Sequence, residues 1–320
     1  MPRSSVAITF PADALPPAAA ERLAQGLAGH DVRYAPSGGW SNLDPAPAPH
    51  VRTATVVFGQ PAVADLHDSS VRWVQLTSAG YGRYDVADLA GRGIALSTSS
   101  AVYAQPVAES ALAMLLGAFR RLPHTLADQP DRQWNAHAHR RRTRVLRGAT
   151  VALLGWGSIG QSLHPPLAAL GANVRIVRRT RRGDEPAPTY VMRDLLAALD
   201  GADAVVNTLP GTEETAGLID AEALAQLAPG AVLVNVGRGT TVDADALRQA
   251  VLHGPLGGAW LDVTHPEPLP ADHPLWSTEG VWIAPHIAGG HPDEHLALVE
   301  HFLANLARWS AGEPLRDQRC

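Results

Sequence analysis

No lysine occurs anywhere in the 320 residues, so all 26 fixed cations are arginines. Schiff-base catalysis, an internal pyridoxal aldimine and a phosphate-loop lysine are excluded at once. Cysteine is almost as scarce, with Cys320 alone. That excludes disulfide frameworks, thiol nucleophiles and cysteine-based zinc sites, and it fits a reducing, cytoplasmic compartment. A strong charge of either sign is also lacking. The net value is −5 with histidine neutral, which argues against nucleic acid or an anionic membrane as partner. The opening MPRSSVAITFPADALPP holds too short an apolar stretch for a signal peptide, and no run reads as a membrane span. No histidine–carboxylate cluster has metal-site spacing, so no metal is expected. Chemistry is left to His, Asp, Glu, Ser, Tyr and Arg, or to a bound cofactor.

What is present is a regular alternation of apolar runs and amphipathic stretches, with 46% of residues apolar. Strands are expected at 6–10, 55–58, 71–76 and 94–97, with a helix at 18–27 and a loop at 36–49. A helix is read at 106–121, with Pro106 near its start and arginines in its last turn. A polar segment follows at 123–147; its basic run, Arg140 to Arg147, reads as a solvated loop before a buried strand. Further strands are read at 150–154, 173–177, 204–208, 231–236, 258–263 and 281–284. Helices are read at 159–170, 191–199, 221–227, 244–253 and 292–309. Such alternation implies α/β architecture with parallel sheets covered by helices. Two domains are expected: residues 1–99 with 288–320, and residues 100–287.

The segment Gly155-Trp156-Gly157-Ser158-Ile159-Gly160 lies after an apolar strand and opens a helix. In that setting G-x-G-x-x-G is a dinucleotide fingerprint: a tight turn, a close approach to pyrophosphate, and close helix–strand packing. The next strand ends where an NAD enzyme places a ribose-binding acid, but here the residues are Arg178, Arg179, Thr180, Arg181 and Arg182. Guanidinium forks suit a 2′-phosphate, so NADP is favoured, with NAD possible.

Arg238, Glu267 and His286 follow three successive strands, at the sheet edge where open α/β folds bind ligands. Reducing a 2-oxo acid needs a cation for the carboxylate, a proton donor for the carbonyl oxygen and a carboxylate to keep that donor protonated. These three residues meet those needs.

The segments LLGWGSIG, NTLPGTEETAGLI, LVNVGRGTTVDADAL, GGAWLDVTHPEPLPADHPLW and IAPHI, in this order, resemble the D-isomer-specific 2-hydroxyacid dehydrogenase family. The likeness covers residues 105–290 closely and the N-terminal third more loosely, through LTSAGYGRYD and AVYAQPVAESALAMLL. It implies two Rossmann/flavodoxin-like domains flanking an active-site cleft that closes on substrate, with residues 1–99 and 288–320 as the substrate domain. It also implies a homodimer and a glyoxylate/hydroxypyruvate reductase-like activity. By resemblance, Arg238 orients the substrate, His286 is general acid and base, and Glu267 raises the imidazole pKa. Asp262 contacts the nicotinamide, while Leu209, Pro210, Thr215, Val236 and Gly237 line the cofactor site. Ser78, Ala79 and Gly80 offer backbone N–H groups to the substrate carboxylate.

Two departures border the expected substrate pocket: Gly82 where relatives often carry Asp, and Ala288 before the Gly289-Gly290 pair. Two other readings keep the same residues: phosphite oxidation, and a non-catalytic dinucleotide-sensing corepressor.

Overall fold

A computed structural model of the chain describes residues 4–35 and 48–320. The loop expected at 36–49 lies outside the described residues except for its last two positions. The chain separates into two compact units, Met1–Tyr103 with Gly290–Cys320, and Ala104–Gly289. The divisions read from the sequence stood at 99/100 and 287/288, a few residues away.

The first unit is built on five parallel strands: β1 (Ser5–Ile8), β2 (Asp31–Tyr34), β3 (Val56–Phe58), β4 (Trp73–Gln75) and β5 (Ala95–Ser97). Their order is β2-β1-β3-β4-β5, the flavodoxin-like arrangement. Strands β1, β3, β4 and β5 are short, largely apolar runs because both faces are covered, whereas β2 at the edge alternates polar residues. The helix Glu294–Ala311 returns from the far end of the chain to cover one face. Its Phe302 stacks on Phe58 with ring centroids 4.3 Å apart and lies 5.7 Å from Trp73. Beyond it, Gln318 bridges antiparallel to Ser97, and Arg319 N–H donates to the Leu96 carbonyl at 2.7 Å.

The second unit carries β6 (Thr150–Leu154), β7 (Asn173–Arg178), β8 (Thr189–Val191), β9 (Ala204–Asn207), β10 (Ala231–Asn235), β11 (Leu256–Leu261) and β12 (Val281–Ile283). All pair parallel, in the order β12-β11-β10-β9-β6-β7-β8. This is a Rossmann sheet with one added strand, and its order reverses between β6 and β9. Ligands of such sheets bind beyond the carboxyl ends of the strands, which is where the loops described below emerge.

Several local expectations need correction. The helix read from Pro106 spans Ser100–Phe119, with Pro106 inside it. Its length and composition would allow it to cross a membrane, contrary to the reading of the sequence, but half of that stretch is buried within the protein. Strands β2 and β8 were not read: β2 alternates polar residues, and β8 is three residues long. The helix read from Val191 begins at Leu195, because Val191 ends β8 and Met192–Asp194 forms a 3-10 turn. The polar segment contains two short helices, Leu122–Asp128 and Ala136–Arg140. Within the basic run, Arg144 is not free in solvent; it pairs with Asp203, donates to the Gly230 carbonyl and lies over the Phe119 ring.

Candidate active site

The register of β6 against β7 sets Leu154 beside Val177, and Gly155 N–H donates to the Val177 carbonyl at 2.8 Å. The fingerprint turn therefore begins abreast of Arg178. Its outer glycines are required by the protein itself. Gly155 has φ +103°, and a Cβ on Gly160 would stand 2.3 Å from the Gly155 carbonyl oxygen. Gly157 is different: its φ is −84°, and a Cβ there would meet nothing within 4 Å. Gly157 thus leaves open a backbone surface that a bulky anion can approach. No side chain caps the helix Ser158–Ala169 that follows, whereas Asp220 and Asp243 cap two other helices of this unit. A helix start without a side-chain cap and an open glycine suit a pyrophosphate, so Gly155–Gly160 fit a dinucleotide.

Arg178 is the last residue of β7, inside the strand rather than beyond it. Its Nη1 donates to Glu185 Oε1 at 2.6 Å. The same oxygen accepts from Arg182 N–H and Oε2 accepts from Gly183 N–H, both at 2.9 Å. Arg182 N–H leads the donors that hold the Glu185 carboxyl down at about 2, against the opposing effect of burial. Arg179 and Thr180 are exposed. The loop after the strand thus brings a carboxylate of its own, nearly buried, onto Arg178.

At the ends of β9 and β10, two fully buried amides hold the next loops. Asn207 Nδ2 donates to Asn235 Oδ1 at 2.8 Å and to Thr241 Oγ1 at 2.7 Å. Asn207 Oδ1 accepts from Leu209 N–H, and Asn235 Oδ1 accepts from Gly237 N–H. Asn235 Nδ2 and Thr241 Oγ1 both donate to the Arg238 carbonyl, at 3.1 and 2.6 Å. These residues were missed in the sequence. A polar residue closing an apolar strand, as in AVVN and AVLVN, is the signal that could have found them. Val236 is buried behind the loop. Pro210 is exposed, and its carbonyl accepts from Thr215 Oγ1 at 2.6 Å, so that hydroxyl closes its own turn.

The structure brings together Glu267 and His286, with His286 Nδ1 3.0 Å from Glu267 Oε2. Glu267 Oε1 accepts from Thr264 N–H at 2.9 Å, which fixes the carboxylate on its turn. Burial acts to raise the Glu267 pKa, but the bond to His286, the Thr264 N–H and the charges of His286 and Arg238 hold it below the usual range. Burial lowers the Arg238 pKa, and Glu267 opposes that effect. Arg238 Nη1 donates to the Gly237 carbonyl at 2.6 Å.

His286 sits in the left-handed region at φ +55°, a conformation few non-glycine residues hold without support. The support is Asp262, whose carbonyl accepts from His286 N–H at 2.8 Å. Asp262 Oδ1 takes the N–H groups of Ile287 and Ala288 at 2.9 and 3.0 Å. Burial raises the Asp262 pKa in spite of those bonds.

In the first unit, Ser78 Oγ accepts from Gln60 Nε2 at 2.9 Å and donates to the Gly80 carbonyl at 2.7 Å. Among the described residues, none accepts a hydrogen bond from the backbone N–H of Ser78, Ala79 or Gly80. Tyr81 next to them lies under the Arg319 guanidinium, 5.2 Å from its centroid.

A family model described as D-isomer specific 2-hydroxyacid dehydrogenase, NAD binding domain, matches residues 112–288. Glyoxylate/hydroxypyruvate reductase A of Serratia proteamaculans is 36% identical over 211 residues, covering 66% of each chain. Glyoxylate/hydroxypyruvate reductase B of Pectobacterium carotovorum is 31% identical over 284 residues, covering 85% of this chain and 88% of that one. Among solved structures, a D-isomer specific 2-hydroxyacid dehydrogenase from Xanthobacter autotrophicus Py2, in complex with NADPH and MES, is similar with TM-score 0.81 and 27% identity. That match covers 99% of this chain and 98% of that one.

Proposed function

Since the chain belongs to the D-isomer specific 2-hydroxyacid dehydrogenase family and carries its NAD-binding domain, we propose that it reduces a small 2-oxo acid with NADPH. The observation that carries this reading is the contact of His286 with Glu267, 3.0 Å apart at the strand ends beside Arg238. Bound NADPH would supply the hydride. His286 commits Nδ1 to the carboxylate, which leaves Nε2 to give a proton to the carbonyl oxygen in reduction and to take it back in oxidation. Glu267, ionised below the usual carboxylate range, offsets the charge of the protonated ring. Arg238 spends Nη1 on the Gly237 carbonyl, and its remaining donors serve the substrate carboxylate and carbonyl. Ser78, Ala79 and Gly80 are proposed to give N–H groups to that carboxylate, and Asp262 to meet the nicotinamide amide.

The two reductases are named for glyoxylate and hydroxypyruvate, and the Xanthobacter protein holds NADPH; both support the substrate class and the cofactor. Purified protein should therefore consume NADPH with glyoxylate or hydroxypyruvate. Absence of turnover with these, pyruvate and aromatic 2-oxo acids would overturn the reading, and NADP reduction by phosphite would replace it. A homodimer is also proposed, because Leu122, Leu126, Trp134 and Val145 leave more than half of their surface exposed within one chain segment. Light scattering that gives a monomer mass would reject it.

A further inference from the structure

We propose that Glu185 is a built-in competitor for the adenosine 2′-phosphate, and that it sets how strongly this protein distinguishes NADPH from NADH. The inference rests on the proposed use of NADPH and on the expectation from the sequence that Arg178–Thr180 face its adenosine ribose.

Three donors converge on the Glu185 carboxylate: the Arg178 guanidinium at 2.6 Å, and the N–H groups of Arg182 and Gly183 at 2.9 Å. A guanidinium with two adjacent backbone N–H groups is a set of donors that takes phosphate oxygens. The carboxylate already fills it. Only 3% of the Glu185 side chain and 15% of the Arg178 side chain reach solvent, so water screens this pair weakly. The location gives the pair its consequence. Arg178 ends the strand next to the fingerprint strand, abreast of Gly155. A ligand phosphate there would meet an arginine whose charge is largely cancelled by an anion in contact with it. It would either displace that anion or accept the remaining nitrogens of Arg178 at reduced attraction. NADH has only a neutral hydroxyl at that position and feels neither effect. Glu185 thus lowers the advantage that the arginines give to NADPH and leaves NADH binding unchanged.

Titration of the wild-type protein and Glu185→Gln with NADPH, NADH, adenosine 2′,5′-bisphosphate and AMP, by calorimetry at low ionic strength, tests this. Glutamine keeps an oxygen for Arg178 and Arg182 but removes the charge. The variant should bind NADPH and the bisphosphate about fivefold more tightly, with NADH and AMP within about twofold of wild type. An unchanged or reduced NADPH-to-NADH affinity ratio would overturn the proposal. If Glu185→Gln does not fold, Glu185→Asp, which draws the carboxylate back from Arg178, should raise the same ratio by a smaller factor; an unchanged ratio there overturns it equally. The two readings fail separately. A wild type that prefers NADH, with a variant shifted toward NADPH, removes the proposed cofactor preference and keeps the competitor. A wild type that prefers NADPH, with an unshifted variant, does the reverse.

Discussion

Gly239 lies against the backbone of Thr264 so closely that a Cβ on it would stand 1.9 Å from the Thr264 carbonyl oxygen. The loop that carries Arg238 and the turn that carries Glu267 are thus in backbone contact, with glycine as the only residue that fits. Gly239→Ala must separate them. The expected result is a fall of about 10²-fold in kcat/KM for 2-oxo acid reduction, since small misplacements of positioning groups are costly. Overpacking should also lower stability by about 1–3 kcal/mol. Steady-state kinetics and thermal melts check both; wild-type kinetics would show that the contact does not position Arg238.

Arg238→Ala and His286→Ala should each lower kcat/KM by about 10²-fold or more, with far smaller changes in the Kd for NADPH. A variant with wild-type turnover would remove that residue from the proposed chemistry.

Glu267 gives a pH signature with a definite sign. Its carboxyl is held below the usual range, so it is ionised across neutral pH. A negative neighbour favours the protonated ring, and reduction needs that proton. Glu267→Gln removes the charge, so the alkaline loss of reductase activity should move to lower pH. An unchanged pH–rate profile would uncouple Glu267 from the titrating group.

The carboxyl of Glu185, held at about 2, should appear in stability as well as in binding. A depressed pKa stabilises the fold above the unfolded carboxylate range, and that contribution disappears as pH falls toward 2. The stability gap between wild type and Glu185→Gln should therefore be present at neutral pH and close in acid. Denaturant titrations at pH values spanning that range check it; a gap that widens in acid would contradict the sign.

Much of the architecture is legible because a parallel sheet covered on both faces writes its strands as uninterrupted apolar runs, as in VALL and AVLVN. The outer glycines of the fingerprint are legible for a related reason, since the tight turn at Gly155 and the close packing at Gly160 leave glycine no substitute. Strand β2 was illegible because Asp31 and Arg33 break the apolar pattern of an edge strand. Glu185 was illegible for another reason. Nothing in Arg178-Arg179-Thr180-Arg181-Arg182-Gly183-Asp184-Glu185 says which acid turns back onto which arginine until the loop closes. Asn207 and Asn235 are likewise plain polar residues until the sheet sets them side by side.

The first unit is made from two stretches of chain separated by the whole of the second. During synthesis Ala104–Gly289 emerges as one continuous piece, with all seven strands of its sheet, while the earlier strands β1–β5 still lack Phe302. Phe58 and Trp73 lack their Phe302 partner until Gly290–Cys320 has followed the second unit, roughly two to six seconds of synthesis later. Strands β1–β5 are thus made before the second unit and covered only after it.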